Sequence, residues 1–206
     1  SRNQKLQRLI NMQNTALVVV DMQYDFIDGS LACQNADNAI SQTLKFIDKH
    51  TKGQRGEEHE ILDTFPILFT RDYHPADHSS FAEQGGTWPT HCVAGTHGAE
   101  IHESLVPYVC EELTFDKGCD KSSEQYSGFE GQNNAEQSLG EILEMLDTTD
   151  VYVCGIATEY CVRNTCEDLK KAGYKVHLLS DCLGYVDENG HRQALQEMSD
   201  NGICVE

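Results

Sequence analysis

Residues 16–21, ALVVVD, form an unbroken apolar run closed by an acid. That run restricts the fold more than any other feature of the chain. Polar residues do not alternate along it, so neither face of such a strand can meet water. It fits the centre of a parallel sheet covered on both sides. Parallel neighbours need long crossovers, usually helices, and the chain supplies them in turn. NADNAISQTLKFIDKH (35–50) carries Ala39, Ile40, Thr43, Leu44 and Ile47 at helical spacing, and PILFTRD (66–72) reads as a strand with Pro66 tolerated at its start. ELTFDKG (112–118) is a short strand, NNAEQSLGEILEMLD (133–147) an amphipathic helix and DVYVCGI (150–156) a strand. TEYCVRNTCEDLKKAG (158–173) is a helix stopped by Gly173, YKVHLLSD (174–181) a strand, GHRQALQEMSDNG (190–202) a helix and ICVE (203–206) a short last strand.

This alternation predicts an α/β fold: one mostly parallel central sheet with helices on both faces, a three-layer sandwich. Residues 15–206 form that domain, and 1–14 are an N-terminal extension with a short amphipathic helix through Leu6, Leu9 and Ile10. TKGQRGEEHE (51–60) reads as a surface loop. From Tyr73 to Val109 no regular pattern holds, and the segment is rich in His, Gly, Pro and Ser. Irregular segments of that length in a compact domain tend to be functional or disordered, and Phe81, Trp88 and the histidines favour function. There is no internal repeat and no G-x-G-x-x-G fingerprint.

Fifteen basic against 34 acidic residues give a net charge of −19, which repels nucleic acid and anionic membranes. A neutral small molecule suits such a chain better than an anionic polymer, and a homo-oligomer is left open. No apolar run reaches the ~18–20 residues a membrane span needs. The nine cysteines, at 33, 92, 110, 119, 154, 161, 166, 182 and 204, include no C-x-x-C pair. They read as reduced thiols in a cytoplasmic or nuclear setting.

Four reactive side chains end four of the expected strands: Asp21, Asp72, Lys117 and, just beyond DVYVCGI, Cys161. Any one of the acids is most simply a turn or helix cap, and a lone cysteine is most simply packing. Strand ends in a parallel sheet share one rim, however, and four together are hard to explain that way. Asp21, Lys117 and Cys161 make a workable set for acyl transfer. The carboxylate takes the thiol proton, while the lysine and the helix N-terminus favour a thiolate. Amides at the start of the helix can bind an oxyanion. A second group, Asp72, His74 two residues on, and His91 in WPTHCV, offers one carboxylate and two imidazoles, a set suited to Zn²⁺ or Fe²⁺ with positions left open. Each lone histidine is by itself more simply a surface or hydrogen-bonded residue. His97 and His102 stay on that side, and His78 is the marginal case.

The segments VVVDMQYDF, TRDYHPADHSSFA, TWPTHCVAGTHGAEI, FDKGCD and GIATEYCVRNT resemble, in the same order, the nicotinamidases of the isochorismatase-like cysteine hydrolase superfamily, from about residue 15 to the end. The Asp-x-His pair with Trp-Pro-x-His is the specific part. The resemblance implies hydrolysis of nicotinamide, and of pyrazinamide as a further candidate, through a thioester on Cys161 with Asp21 and Lys117 beside it. It implies one divalent ion, Zn first with Fe or Mn as alternatives, on Asp72, His74 and His91. It further implies a cis bond between Ile156 and Ala157, an oxyanion hole from the amides of Ala157 and Cys161, and a substrate pocket involving Phe26, Trp88, Tyr126 and Ile156. Tyr73 departs from the pattern, standing where a Trp is usual. Rival readings are a metal-independent relative acting on a carbamoyl or ureido compound, a non-enzymatic zinc-binding module and a thiol redox protein. The intact Asp/Lys/Cys set opposes the second. The missing C-x-x-C opposes the third.

Overall fold

A computed structural model describes residues 14–51 and 65–206. The expected amphipathic helix at 6–10 and nearly all of the expected 51–60 loop lie outside these residues. Six strands form one sheet: β1 (Thr15–Val20), β2 (Ile67–Asp72), β3 (Thr114–Lys117), β4 (Asp150–Ile156), β5 (Lys175–Gly184) and β6 (Cys204–Val205). All pair in parallel in the order β3-β2-β1-β4-β5-β6. The chain builds outward from β1 to β3, then returns to lay β4 on the other side of β1. The strand order therefore reverses between β1 and β4, and open α/β sheets bind ligands above such a point.

Every residue of β1 is buried, as its apolar run requires. Ala16, Val18 and Val20 face one core, closed by α3 (Leu139–Met145), α4 (Arg163–Lys171) and α5 (Glu188–Asp200). Leu17 and Val19 face a second core, closed by α1 (Tyr24–Ile27) and α2 (Ala36–Thr51). Burying a Val or Leu side chain is worth roughly 1.5–3 kcal/mol, so β1 anchors both layers.

Several elements differ from the sequence expectations, each for a local reason. The helix expected from 133 begins only at Leu139. Asn133 Oδ1 accepts hydrogen bonds from the amides of Ala135 and Gln137, at 3.0 and 2.9 Å, and this turn takes the place of helix. Ser138 then opens α3 with a reciprocal cap, its hydroxyl accepting from the Glu141 amide while Glu141 accepts from the Ser138 amide. The strand expected to stop at 181 continues to Gly184, past a register shift opposite Val153 and Gly155. Gly173 ends α4 in the left-handed region, φ +100°, as expected. The irregular 73–109 segment contains only short 3₁₀ turns and isolated bridges.

Candidate active site

The carboxyl ends of β1, β2, β3 and β4 converge. Asp21 follows β1 with φ +49°, a left-handed residue, and its carboxylate meets Lys117 of β3 and Thr70 of β2. Asp72 and Lys117 close β2 and β3 as register partners. After β4, a cis Ile156–Ala157 peptide leads into a wide π-helical turn, Thr158–Val162, which carries Cys161 before α4 begins. Cys161 thus sits in a looser turn than the ordinary first α-turn expected.

Lys117 lies at the centre, its side chain wholly buried. Its Nζ is 2.9 Å from Asp21 Oδ2, 2.5 Å from Asp72 Oδ1 and 3.3 Å from Cys161 Sγ, and it donates to the Gln125 carbonyl at 3.4 Å. Oxygens of Asp21 and Asp72 and the Cys161 sulfur lie within 4.8 Å of one another. Burial opposes the charge on Lys117, but Asp21 and Asp72 outweigh it and hold the ammonium well above its usual range. Burial pushes the Asp21 carboxyl up, against the pull of Lys117. For Asp72, burial acts the same way, yet Lys117 and the two histidines prevail and hold it well below the ordinary range. Cys161 is pushed well up by burial and then by Asp21, with Lys117 opposing. Desolvation thus opposes the thiolate that the helix terminus and Lys117 favour.

His74 Nε2 and His91 Nε2 both face Asp72 Oδ2, at 3.3 and 3.7 Å. The opposite ring nitrogens are held by backbone carbonyls: His74 Nδ1 lies 2.7 Å from the Gly118 oxygen, and His91 Nδ1 lies 2.7 Å from that of Pro89. Donation from Nδ1 leaves an Nε2 lone pair on each ring directed at one point beside the carboxylate, the outer arrangement that orients metal-ligating histidines. These three buried residues fit a divalent cation. His78 is occupied elsewhere, with Nδ1 on Ser80 Oγ and Nε2 on the Ser123 carbonyl.

Cys161 and all three of these candidate metal ligands line one cleft of about 460 Å³, including its open mouth. Phe26, Trp88, Tyr126 and Ala157 line it too. Ile156 does not; it is fully buried in the core beneath, with Leu17 and Val19. Asp21 and Lys117 do not line it; both are buried.

Sequence reasoning missed several contributors. Tyr160 stands edge-on to Trp88 at 5.0 Å, and Trp88 Nε1 donates to Tyr126 Oη at 3.1 Å. Tyr160 is adjacent to Cys161, which was the available signal. Gln23, wholly buried, donates to the carbonyls of Asp72 and Ala99 and accepts from the Asp72 amide, fixing that residue from 49 positions away. Thr70 Oγ1 donates to Asp21 Oδ1 at 2.7 Å. Nothing local in the sequence marks either role.

The chain matches the isochorismatase domain over residues 15–205. It is 33% identical to the nicotinamidase/pyrazinamidase of Mycobacterium tuberculosis over 89% of this chain and 93% of that protein. Among solved structures it is similar to the pyrazinamidase of Pyrococcus horikoshii in complex with zinc, with TM-score 0.80, 38% identity and coverage of 94% and 98%. It is also similar to PnC1 of L. infantum in complex with nicotinate, with TM-score 0.78, 28% identity and coverage of 94% and 92%. With the parallel sheet, the site above its reversal point and a match running the length of the fold, the chain belongs to the isochorismatase domain family of hydrolases.

Proposed function

We propose that this protein hydrolyses nicotinamide to nicotinate and ammonia through a thioester on Cys161. The observation that carries this reading is the single cleft in which a buried thiol and a converging Asp-His-His group face the same space. A carboxamide on a heteroaromatic ring has two chemically distinct ends, and this cleft has a partner for each. Asp72, His74 and His91 would hold the metal, Zn²⁺ first with Fe²⁺ or Mn²⁺ as alternatives. When bound, it supplies a Lewis-acidic position for the ring nitrogen. Trp88, Tyr126, Tyr160 and Phe26 supply apolar walls for the ring.

Asp21 takes the Cys161 proton as sulfur attacks the amide carbon, and Lys117, 3.3 Å from the sulfur, stabilises the charge that develops there. The amides of Ala157 and Cys161 stabilise the oxyanion. Asp21 returns the proton to nitrogen, the C–N bond breaks and ammonia leaves. It then takes a proton from water as that water attacks the thioester, and gives it back to sulfur as nicotinate is released. The raised proton affinity of Asp21 suits this shuttle. Ammonia release from nicotinamide and from benzamide, with and without a chelator, tests the reading. Nicotinamide is expected to be strongly preferred by the metal-loaded enzyme, and absent or equal turnover of the two amides would overturn it.

A further inference from the structure

One wall of the cleft belongs neither to the Asp/Lys/Cys group nor to the three candidate metal ligands. Leu31 and Cys33, from the connection between α1 and α2, and Val186, from the connection between β5 and α5, line its side. Val186 is among the large apolar side chains left exposed, at 36%, and it faces the cleft, where a substrate can cover it. Its backbone is held by one side chain. Glu159 accepts from the Val186 amide at 3.0 and 3.2 Å through its two oxygens, and from the Asp187 amide at 2.8 Å. Glu159 lies in the π-helical turn, two residues before Cys161.

Other bonds keep this wall in place. Gln34 and Tyr185 exchange backbone hydrogen bonds at 2.8 and 3.0 Å, and Gln34 Nε2 donates to the Val186 carbonyl at 3.3 Å. Thr158 Oγ1 donates to the Gly184 carbonyl and meets His191 Nδ1, while the His191 ring stacks on Tyr185. Every one of these contacts joins two backbone segments. Thr158 and Glu159 both tie this wall to the turn bearing the nucleophile, and among the described residues Glu159 is the side chain that bonds the Val186 and Asp187 amides themselves.

We propose that Val186 is a specificity-determining residue that limits substituents on the substrate ring, and that Glu159 is the positioning residue that fixes its distance from Cys161. This rests on the reading of the cleft as a nicotinamide site. Glu159 touches neither substrate nor the reacting atoms; it acts through Val186. One Glu159 oxygen accepts from two successive amides, so the wall is held at two points, and a fixed apolar wall discriminates on the scale of single methylene groups.

The test compares nicotinamide with a ring-alkylated nicotinamide, using the metal-loaded full chain. In Glu159→Ala, KM for nicotinamide should rise about tenfold while kcat changes less than about threefold. The kcat/KM ratio of alkylated to parent amide should rise about tenfold, the scale of one methylene group. Glu159→Gln keeps an oxygen for both amides and should stay within about twofold of wild type on each measure. Val186→Ala removes the wall without touching Glu159 and should raise the same ratio, which keeps the test decisive if Glu159→Ala does not fold. Binding is read separately from chemistry by quenching of Trp88, the single tryptophan and a cleft residue, in a Cys161→Ala background. The proposal is overturned by an unchanged ratio in both alanine variants, by loss of kcat with KM and ratio intact, or by a glutamine variant that behaves like alanine. A wild type that releases no ammonia from nicotinamide would defeat the broader reading instead.

Discussion

Cys161 and Asp21 are buried side by side, and the energetic consequence is that neither is charged freely. Cys161→Ala exchanges one small buried residue for another, so it should abolish turnover while leaving the unfolding midpoint nearly unchanged. Mass spectrometry after substrate incubation should find the acyl adduct on the peptide containing Cys161; an adduct on Cys154 or Cys166 would contradict the assignment. Asp21→Asn keeps the shape but removes the base, and the chemical step should slow by roughly 10²–10⁴. The pH dependence follows in sign from the raised Asp21 affinity for protons. The base must be ionised, so activity falls as pH drops. Because the carboxyl holds its proton above its ordinary ~3.9, the acid limb of kcat/KM should lie above the ordinary carboxylate range. Lys117 stays protonated well past its normal range, so the ion pair persists throughout the neutral plateau. An acid limb at or below the ordinary range would remove Asp21 from the role of base.

The elements that build the site are held by close backbone approach. Gly155 in β4 has φ +128°, and a Cβ there would lie 2.1 Å from the Val20 carbonyl oxygen. Gly155→Ala combines left-handed strain of ~1–2 kcal/mol with overpacking of ~1–3 kcal/mol. It should cost about 2–5 kcal/mol in denaturant unfolding, and a loss under 1 kcal/mol would mean the strands are free to separate. These same elements show what could be read from residue order. β1 and β4 were legible because burial on both faces writes itself as a continuous apolar run, and β2 from the apolar Ile67, Leu68 and Phe69 that open it. Asp72, Lys117 and Cys161 were legible as positions because strand ends share a rim. The late start of α3 was not, since Asn133 competes for amides through a side-chain turn that periodicity ignores. Nor was the π-helical turn, because the same residues suit either spacing of backbone bonds. Gln23, Thr70 and Glu159 act on partners 27 to 76 positions away. Such contacts exist only once the sheet has assembled.

At the scale of the whole molecule, one cleft brings together residues contributed from position 26 to position 186. No helix among the described residues is long and apolar enough to cross a membrane. Because the Asp72-His74-His91 group and Cys161 share that cleft, stripping metal should chiefly weaken binding. Chelation, or His74→Ala, should raise KM for nicotinamide by about tenfold or more, the range for losing a metal-site contact. It should also bring nicotinamide and benzamide closer together; a loss confined to kcat would instead assign the metal to the chemical step. Lys117 adds a constraint on how such a protein can change over its history. One ammonium is shared by a carboxylate from the candidate metal group and one from the proposed acyl-transfer group, so a replacement in either alters the background in which the other is tested. Asp21→Asn and Asp72→Asn should show epistasis, their combined effect on stability departing from the sum by ~0.5–3 kcal/mol. On the proposed reading, losing the metal would still leave Asp72 as a partner of Lys117, so a change at one half of the site is felt at the other.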